Sequence, residues 1–172
     1  NLISAIGGKW TTSRDNAEKC VDRIAAKLGG KKACDTGDVP LPGSTGRFRP
    51  FVDNLSPAAP SPSIAANLAR NYGARAREVL ALGNEDKNLL RAVSQRLPDI
   101  AAQVTFAVRS EMAMTLDDVL FRRTGLGTLG PLEASSIERV AALMGQMLGW
   151  SEQEQQRQIA SIGWRYEALG RA

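Results

Sequence analysis

Only one stretch of this chain has the length and apolar character of a buried β-strand, Leu2 to Ile6, and no convincing second strand follows to pair with it. A lone strand leaves its backbone edges unpaired and its faces uncovered, so these residues cannot build a sheet by themselves. The strand therefore implies a partner N-terminal to it, and the remainder must fold chiefly as helix. Directly after the strand come Gly7-Gly8, Lys9 and then Thr11 and Thr12 opening a helix. The glycines let backbone approach a ligand closely, and Thr11 or Thr12 can cap a helix whose N-terminal N–H groups face it, which is the geometry of a phosphate or cofactor cradle. Lys9 would present its cation to whatever anion or electron-rich group sits there, whereas a plain surface lysine on a turn leaves the paired glycines unexplained.

With 172 residues, 43% of them hydrophobic, the chain can bury a sizeable core. Only 5% are aromatic, so that core should consist of Leu, Ile, Val and Ala on helices. No apolar run approaches the roughly 20 residues of a membrane span, and the start lacks the charged and apolar regions of a secretion signal. The chain has no histidine, which excludes Ser-His-Asp or Cys-His pairs, histidine metal sites and imidazole acid-base chemistry within these residues. Cys20 and Cys34 match neither a zinc site nor a disulfide scaffold; reduced cytoplasmic thiols are expected. The net charge of +4 is uneven, with 9 Lys/Arg against 5 Asp/Glu in residues 1–50 and 6 against 8 in residues 111–172. Lys27, Lys31 and Lys32 could meet an anionic surface, although a solvated helix end that favours cations accounts for them as well.

Helical spacing of Ala17, Cys20, Val21, Ile24 and Leu28 predicts a helix over 12–28 that Gly29-Gly30 ends. From Lys31 to about Ser61 the chain is rich in Pro and Gly, which predicts an extended linker without regular helix or sheet. Helices are then predicted over 64–72, 75–82, 85–97 and 100–112, punctuated by Gly73, Gly83 and Pro98. Thr115 with Asp118 reads as a capping box for LDDVLFRR, and Ser135 with Glu138 and Ser151 with Glu154 repeat the device. Two further helices present Ile137, Val140, Met144, Met147 and Leu148, and then Ile159, Ile162, Tyr166 and Leu169. The expected fold is mainly α: a C-terminal bundle of about six or seven helices preceded by the strand-turn-helix piece.

Several motifs invite functional readings that local structure explains better. GLGTLG at 125–130 is a literal GxGxxG, but a capped helix precedes it and Pro131 follows, so a helix-ending turn fits where a dinucleotide fingerprint would need strand and helix. Arg122-Arg123 could grip an anion, yet Asp118 stands four residues before Arg122, and Glu111 or Asp117 lies close in sequence. Met112, Met114, Met144 and Met147 read as core filler rather than a groove, and Trp10, Trp150 and Trp164 are too scattered for a base-stacking platform.

The string LISAIGGKWTTSR closely resembles the closing strand, turn and helix of the flavin domain in FAD-dependent sn-glycerol-3-phosphate dehydrogenases, with related oxidases close by. PLPG at 40–43, NLARNYGARAREVLAL at 67–82 and VRSEMAMTLDDVLFRRT at 108–124 resemble the same family in the same order. This resemblance implies that residues 1–30 are the last piece of an FAD-binding domain, 31–61 a linker and 62–172 the family's C-terminal helical domain. It implies that the upstream FAD and substrate domains belong to the same polypeptide. It further implies an enzyme that oxidises sn-glycerol 3-phosphate to dihydroxyacetone phosphate with FAD as hydride acceptor, passing electrons to quinone or, in the oxidases, to oxygen. By position Gly7, Gly8, Lys9 and Thr11 match the flavin-contacting turn, with Lys9 an electrostatic participant rather than a general base. Family members often carry Tyr where Ser13 stands, so no role attaches to that position. The fragment alone is expected to be inactive and free of FAD, and its parent cytoplasmic or peripheral on the cytoplasmic membrane face, with a homodimer as one arrangement.

Two other classes remain in view. A nucleic-acid-binding module is suggested by a pI near 9.4, but acidic residues are interspersed and the rear of the chain is net negative, so no nucleic-acid partner is expected. A freestanding helical protein-interaction domain without catalytic activity is the stronger alternative.

Overall fold

The computed structural model describes residues 2–30, 33–41, 43–44 and 48–169, and among them all regular structure is helical apart from one antiparallel bridge between Ala92 and Ile100. Lys31, Lys32 and Pro42 of the PLPG motif, together with the side chain of Leu169, lie outside the described set. The chain divides into two compact units, Asn1–Pro42 and Gly43–Ala172.

In the first unit the expected strand does not form: residues 2–9 have no ladder partner and no regular secondary structure. The reason is the one that makes a solitary strand costly, since its N–H and C=O groups are better solvated than unpaired. A 3-10 turn at Trp10–Thr12 leads into α1, Ser13–Lys27, close to the predicted span. The chain leaves α1 through Gly29 at φ +77°, with the Gly30 N–H donating to the Ala25 carbonyl at 2.7 Å. None of the α1 residues is buried.

The second unit contains seven α-helices among its described residues. They are α2 Phe48–Leu55, α3 Pro62–Tyr72, α4 Ala76–Ala81, α5 Ala101–Glu111, α6 Leu116–Asp118, α7 Ala134–Leu148 and α8 Glu152–Leu169. The first of these corrects the reading of 31–61 as free of regular structure. Prolines and glycines crowd both ends of that segment but spare 51–55, where Phe51, Val52 and Leu55 share a helix face and Leu55 is 2% exposed. Gly43, just ahead of α2, meets Gly73 beyond the end of α3: a Cβ on Gly73 would stand 1.9 Å from the Gly43 carbonyl oxygen, which accepts from the Ala74 N–H at 3.0 Å. No larger residue fits at Gly73, and its positive φ of 53° adds a second reason.

α3 begins as its sequence suggests, with the Ser61 hydroxyl accepting from the Ile64 N–H at 3.3 Å and Pro62 in the first turn. The helix expected over 85–97 is absent. Instead, short 3-10 turns at Leu82–Asn84 and Lys87–Leu90 fold the chain back, and irregular structure follows. Non-local bonds have displaced the local ones: Val93 N–H reaches the Asp99 carbonyl at 2.8 Å and Ala101 N–H the Arg91 carbonyl at 3.0 Å. Glu133 then clamps the loop, accepting from the Ser94 hydroxyl at 3.1 Å and from Arg96 Nε at 2.8 Å. Arg96 Nη2 also reaches the Pro131 carbonyl at 2.7 Å.

Glu133 is also the N-cap of α7, which corrects the assignment of that cap to Ser135. Ser136 rather than Ser135 carries the tertiary bond, donating to the Val93 carbonyl at 3.0 Å. At α8 the expected box is half made: Ser151 Oγ accepts from the Glu154 N–H at 3.2 Å, but the Glu154 carboxylate turns to Arg157 and Gln158.

The Thr115–Asp118 box forms in full. Asp118 Oδ2 accepts from the N–H groups of Met114 and Thr115 at 3.0 and 2.9 Å, while Thr115 Oγ1 accepts from the Asp118 N–H at 3.2 Å. Beyond Asp118 the expected α-helix widens into a π turn, Val119–Arg123, closed by the Thr124 N–H and hydroxyl on the Val119 carbonyl. Gln158 of α8 supplies the missing acceptor at the start of α6, taking the Leu116 N–H at 3.1 Å. Around these anchors Leu68, Ile100, Leu116, Leu120, Leu126, Met144 and Ile162 are all at most 1% exposed. Truncating any of them to alanine should cost about 2–5 kcal/mol.

Met112, which ends α5, sits in the left-handed region at φ 57° with its side chain 84% exposed. A non-glycine residue there carries strain of about 1 kcal/mol and this one has almost no packing to lose, so Met112→Gly should raise unfolding stability by about 0.5–1 kcal/mol. Denaturant titration showing an unchanged or lower midpoint would contradict this.

Asp118 supplies a pH test. Burial disfavours its charge, but the Met114 and Thr115 N–H groups, the Thr115 hydroxyl and the Arg122 guanidinium outweigh it and hold the pKa below the ordinary 3.8. The unfolded chain therefore takes up this proton more readily, and stability present above about pH 3.8 is lost as pH falls through the lower folded value. Asp118→Asn should cost about 1–3 kcal/mol at pH 7 and flatten the acid limb of a melting-temperature profile. An acid limb identical to wild type would show that this carboxylate carries none of the effect.

Candidate functional site

The predicted cradle residues gather on one side of α1. Gly7, Gly8 and Lys9 line a recess of about 650 Å³ with Ala5 and Trp10, and the first turns of α1 supply Ser13, Asn16, Ala17, Cys20 and Val21. Both glycines have positive φ, 82° and 130°, so a side chain at either would be strained. A Cβ on Gly7 would meet nothing within 4 Å and would project into open space, whereas one on Gly8 would touch Asn16 Nδ2 at 3.4 Å. The chain is thus bare where a ligand would need to approach its backbone.

Thr11 is placed differently: it sits in the middle of the 3-10 turn and is not among the residues that line the recess. The expectation that Thr11 or Thr12 caps the helix is corrected too. Thr12 occupies the N-cap of α1, but its hydroxyl donates to the Lys9 carbonyl at 3.2 Å and accepts from the Asn16 side-chain amide at 3.4 Å instead of taking a backbone N–H. Ser13 Oγ likewise donates to the Trp10 carbonyl at 2.8 Å. The turn and α1 therefore both begin without a side-chain cap; the Thr12 N–H goes to the Lys9 carbonyl at 3.0 Å and the Ser13 N–H to the Trp10 carbonyl, so the leading donors are those of Trp10 and Thr11 in the turn.

Electrostatically the recess suits an anion or an electron-rich ring. Among the described residues Lys9 is the one charged residue that lines it, and no carboxylate does. The other walls are small or apolar apart from the neutral amide of Asn16, with Trp10 94% exposed at the rim. Residues 13, 16–17 and 20–21 were missed as cradle walls in the sequence, although their spacing of three and four places them on one helix face. The periodicity was legible; that this face turns to the glycine turn was not.

The other candidates resolve into architecture. Arg122 pairs with Asp117 at 2.5 Å and Asp118 at 2.7 Å, and Arg165 of α8 both pairs with Asp117 and lies over the Phe121 ring, 4.1 Å from its centre. Arg123 is exposed. GLGTLG is a turn: Leu126 is fully buried, and a Cβ on Gly127 would stand 2.6 Å from the Phe121 ring. Burial pushes the Asp99 carboxyl above its ordinary pKa, against the pull of Gln103 and of the Gly125 backbone. Of the methionines, Met144 is core, Met147 is half-buried, and Met112 and Met114 are exposed, so the four do not form a groove. No group of three or more Cys, Asp or Glu side chains among the described residues could hold a metal ion.

Residues 34–155 match the family described as the C-terminal domain of alpha-glycerophosphate oxidase. A glycerol-3-phosphate dehydrogenase of Synechocystis is 36% identical over 92% of this chain and 30% of its own length. A probable mitochondrial glycerol-3-phosphate dehydrogenase of Dictyostelium discoideum is 33% identical over 92% of this chain and 25% of its own. Among solved structures, the glycerol-3-phosphate dehydrogenase of Bacillus halodurans complexed with FAD superposes with a TM-score of 0.75 at 26% identity, covering 94% of this chain and 34% of that one. The chain thus spans about a quarter to a third of the length of the proteins it matches.

Proposed function

Because this chain belongs to the family of the C-terminal domain of alpha-glycerophosphate oxidase, we propose that it is the C-terminal part of a flavoenzyme that oxidises sn-glycerol 3-phosphate to dihydroxyacetone phosphate. In this reading residues 1–30 complete an FAD-binding domain whose remainder lies upstream in the same polypeptide, 31–61 form the connection with α2 embedded in it, and 62–172 form the helical domain. The observation that carries the reading is the recess formed by Gly7, Gly8 and Lys9, with the uncapped start of the 3-10 turn beside it and no carboxylate among the described residues of its lining.

FAD, when bound, accepts the hydride from C2 of the substrate. The residues of this chain contribute position and field. Gly7 and Gly8 let the main chain close on the cofactor without a Cβ between them. The Lys9 ammonium and the leading N–H groups of the turn around Thr11 favour negative charge at the group seated there, so any reacting geometry that builds up negative charge at this point is stabilised. Lys9 acts through its charge and takes no proton from the substrate. The helical domain is a packing, dimerisation or partner-binding element whose acid-arginine cluster serves its architecture. Electrons pass to quinone, which places the parent enzyme at the cytoplasmic face of a membrane; none of the described helices is long and apolar enough to cross one.

Removing one preorganised charge of this kind costs on the order of 100-fold in kcat. Lys9→Ala in the full-length enzyme should show that loss with flavin absorbance retained, while Arg123→Ala keeps its rate; an unchanged kcat for Lys9→Ala would sink the electrostatic role. The isolated 172-residue chain should carry no FAD. Stoichiometric flavin on it would overturn the division between this chain and the upstream domain. Reduction of a soluble quinone by the full-length enzyme without peroxide formation would support the acceptor assignment, and peroxide as the main product would reverse it.

A further inference from the structure

A second recess lies wholly within the helical unit. It has a volume of about 330 Å³ and is lined by Asp86, Asn88, Leu89, Arg91, Ala101, Arg139 and Leu143. Its apolar surface comes from Leu89, Ala101 and Leu143, and its charge from two guanidinium groups contributed by separate elements, the 91–100 loop and α7.

Six arginines of the unit, Arg75, Arg96, Arg109, Arg122, Arg157 and Arg165, each hold a carboxylate. Arg91 and Arg139 make no ion pair among the described residues. Arg139 is nonetheless fixed, because Nη1 donates to the Ala92 carbonyl at 3.1 Å and leaves the other nitrogens of its fork unengaged. The backbone of Arg91 is held as well, its carbonyl accepting from the Ala101 N–H at the start of α5. Asp86 is the single carboxylate in the lining. Its Oδ1 is committed to the backbone and side-chain N–H groups of Asn88, at 2.8 and 3.0 Å, where it caps a 3-10 turn. Two unpaired guanidiniums against one engaged carboxylate, at the positive end of α5, leave the recess with an uncompensated positive field.

We propose that this recess binds a small amphiphilic anion, a carboxylate or phosphate monoester head with a short apolar body. The head lies between Arg91 and Arg139, and the body packs on Leu89, Ala101 and Leu143. Each part of the surface sets one requirement. Guanidinium forks select planar or tetrahedral oxyanions by paired hydrogen bonds, and the apolar floor excludes a fully hydrated inorganic ion. The volume limits the ligand to about a dozen non-hydrogen atoms.

Titration of the whole chain with hexanoate and hexyl phosphate, followed by amide chemical shifts, tests this. Saturable binding with shifts at Asn88, Arg91, Ala101 and Arg139 is expected. Arg91→Gln, an exposed residue without a side-chain bond to lose, should weaken it at least tenfold with an unchanged melting temperature. Arg139→Gln, which can still donate to Ala92, should do the same, and Asp86→Asn should tighten it. Absence of saturation, equal binding of 1-hexanol, or an affinity indifferent to both arginine variants would each overturn the proposal.

Discussion

The carboxylate of Asp118 is the point on which the helical unit turns. One oxygen gathers the N–H groups of Met114 and Thr115 and the hydroxyl of Thr115, and the other takes Arg122 at 2.7 Å. These are donors that a helix start leaves over, and few side chains other than a carboxylate three residues into the helix could satisfy them together. Once the start of α6 is fixed, Leu116, Val119 and Leu120 are directed into the core, and Asp117 is aimed at Arg122 and Arg165. Exposed ion pairs contribute little individually, but here they extend a capped turn that is already rigid, and Arg165 also packs on Phe121.

Two further polar residues repeat this pattern at greater sequence distance. Gln158 reaches from α8 to the Leu116 N–H, while Gln103, wholly buried, holds Asp99 at 3.1 Å and the Ile100 N–H at 2.9 Å. Each fills a donor or acceptor that would otherwise be orphaned in the interior, where the cost of leaving it so is about 1–3 kcal/mol. The apolar core supplies most of the driving force. The polar links decide which of many compact arrangements of short helices is adopted, because each can be satisfied in only one register.

This division of labour explains what could be read in advance. The helices at 62–72, 101–111, 134–148 and 152–169 follow from apolar periodicity and from Gly73 and Gly149, and the Thr115 box follows from its spacing. Those signals are local. The segment 85–97 carries helical periodicity too, yet its outcome rests on Glu133, some 40 residues away, and on the bond from Val93 to Asp99. The π turn after Asp118 likewise depends on Thr124 and on Gly127 meeting Phe121, which no periodicity encodes. In α2 the signal was present in Phe51, Val52 and Leu55 but was outweighed by the surrounding prolines. At the cradle, the turn at Gly7 and Gly8 was legible because positive φ has a residue signature. The behaviour of Thr12 was not, since its hydroxyl can serve either as a cap or as a donor to Lys9.

The first unit is held by different forces, and the lack of any buried side chain among its described residues bears on the proposed role. Helix α1 has 15 residues, a length at which an isolated helix is marginal in water. The exposed pairs Arg14–Glu18 and Lys19–Asp15 add little to it. Against this, Trp10, Val21, Ile24 and Leu28 are 94%, 59%, 40% and 81% exposed. At about 25 cal/mol per Å² of apolar surface, covering these side chains would stabilise the unit by several times what its ion pairs supply. Docking of an upstream flavin domain on this face would provide that cover, and it would hold Gly7, Gly8 and Lys9 in place through the same contacts. Cofactor binding and the order of the turn that receives the cofactor would then share one source of free energy, the burial of the apolar side of α1.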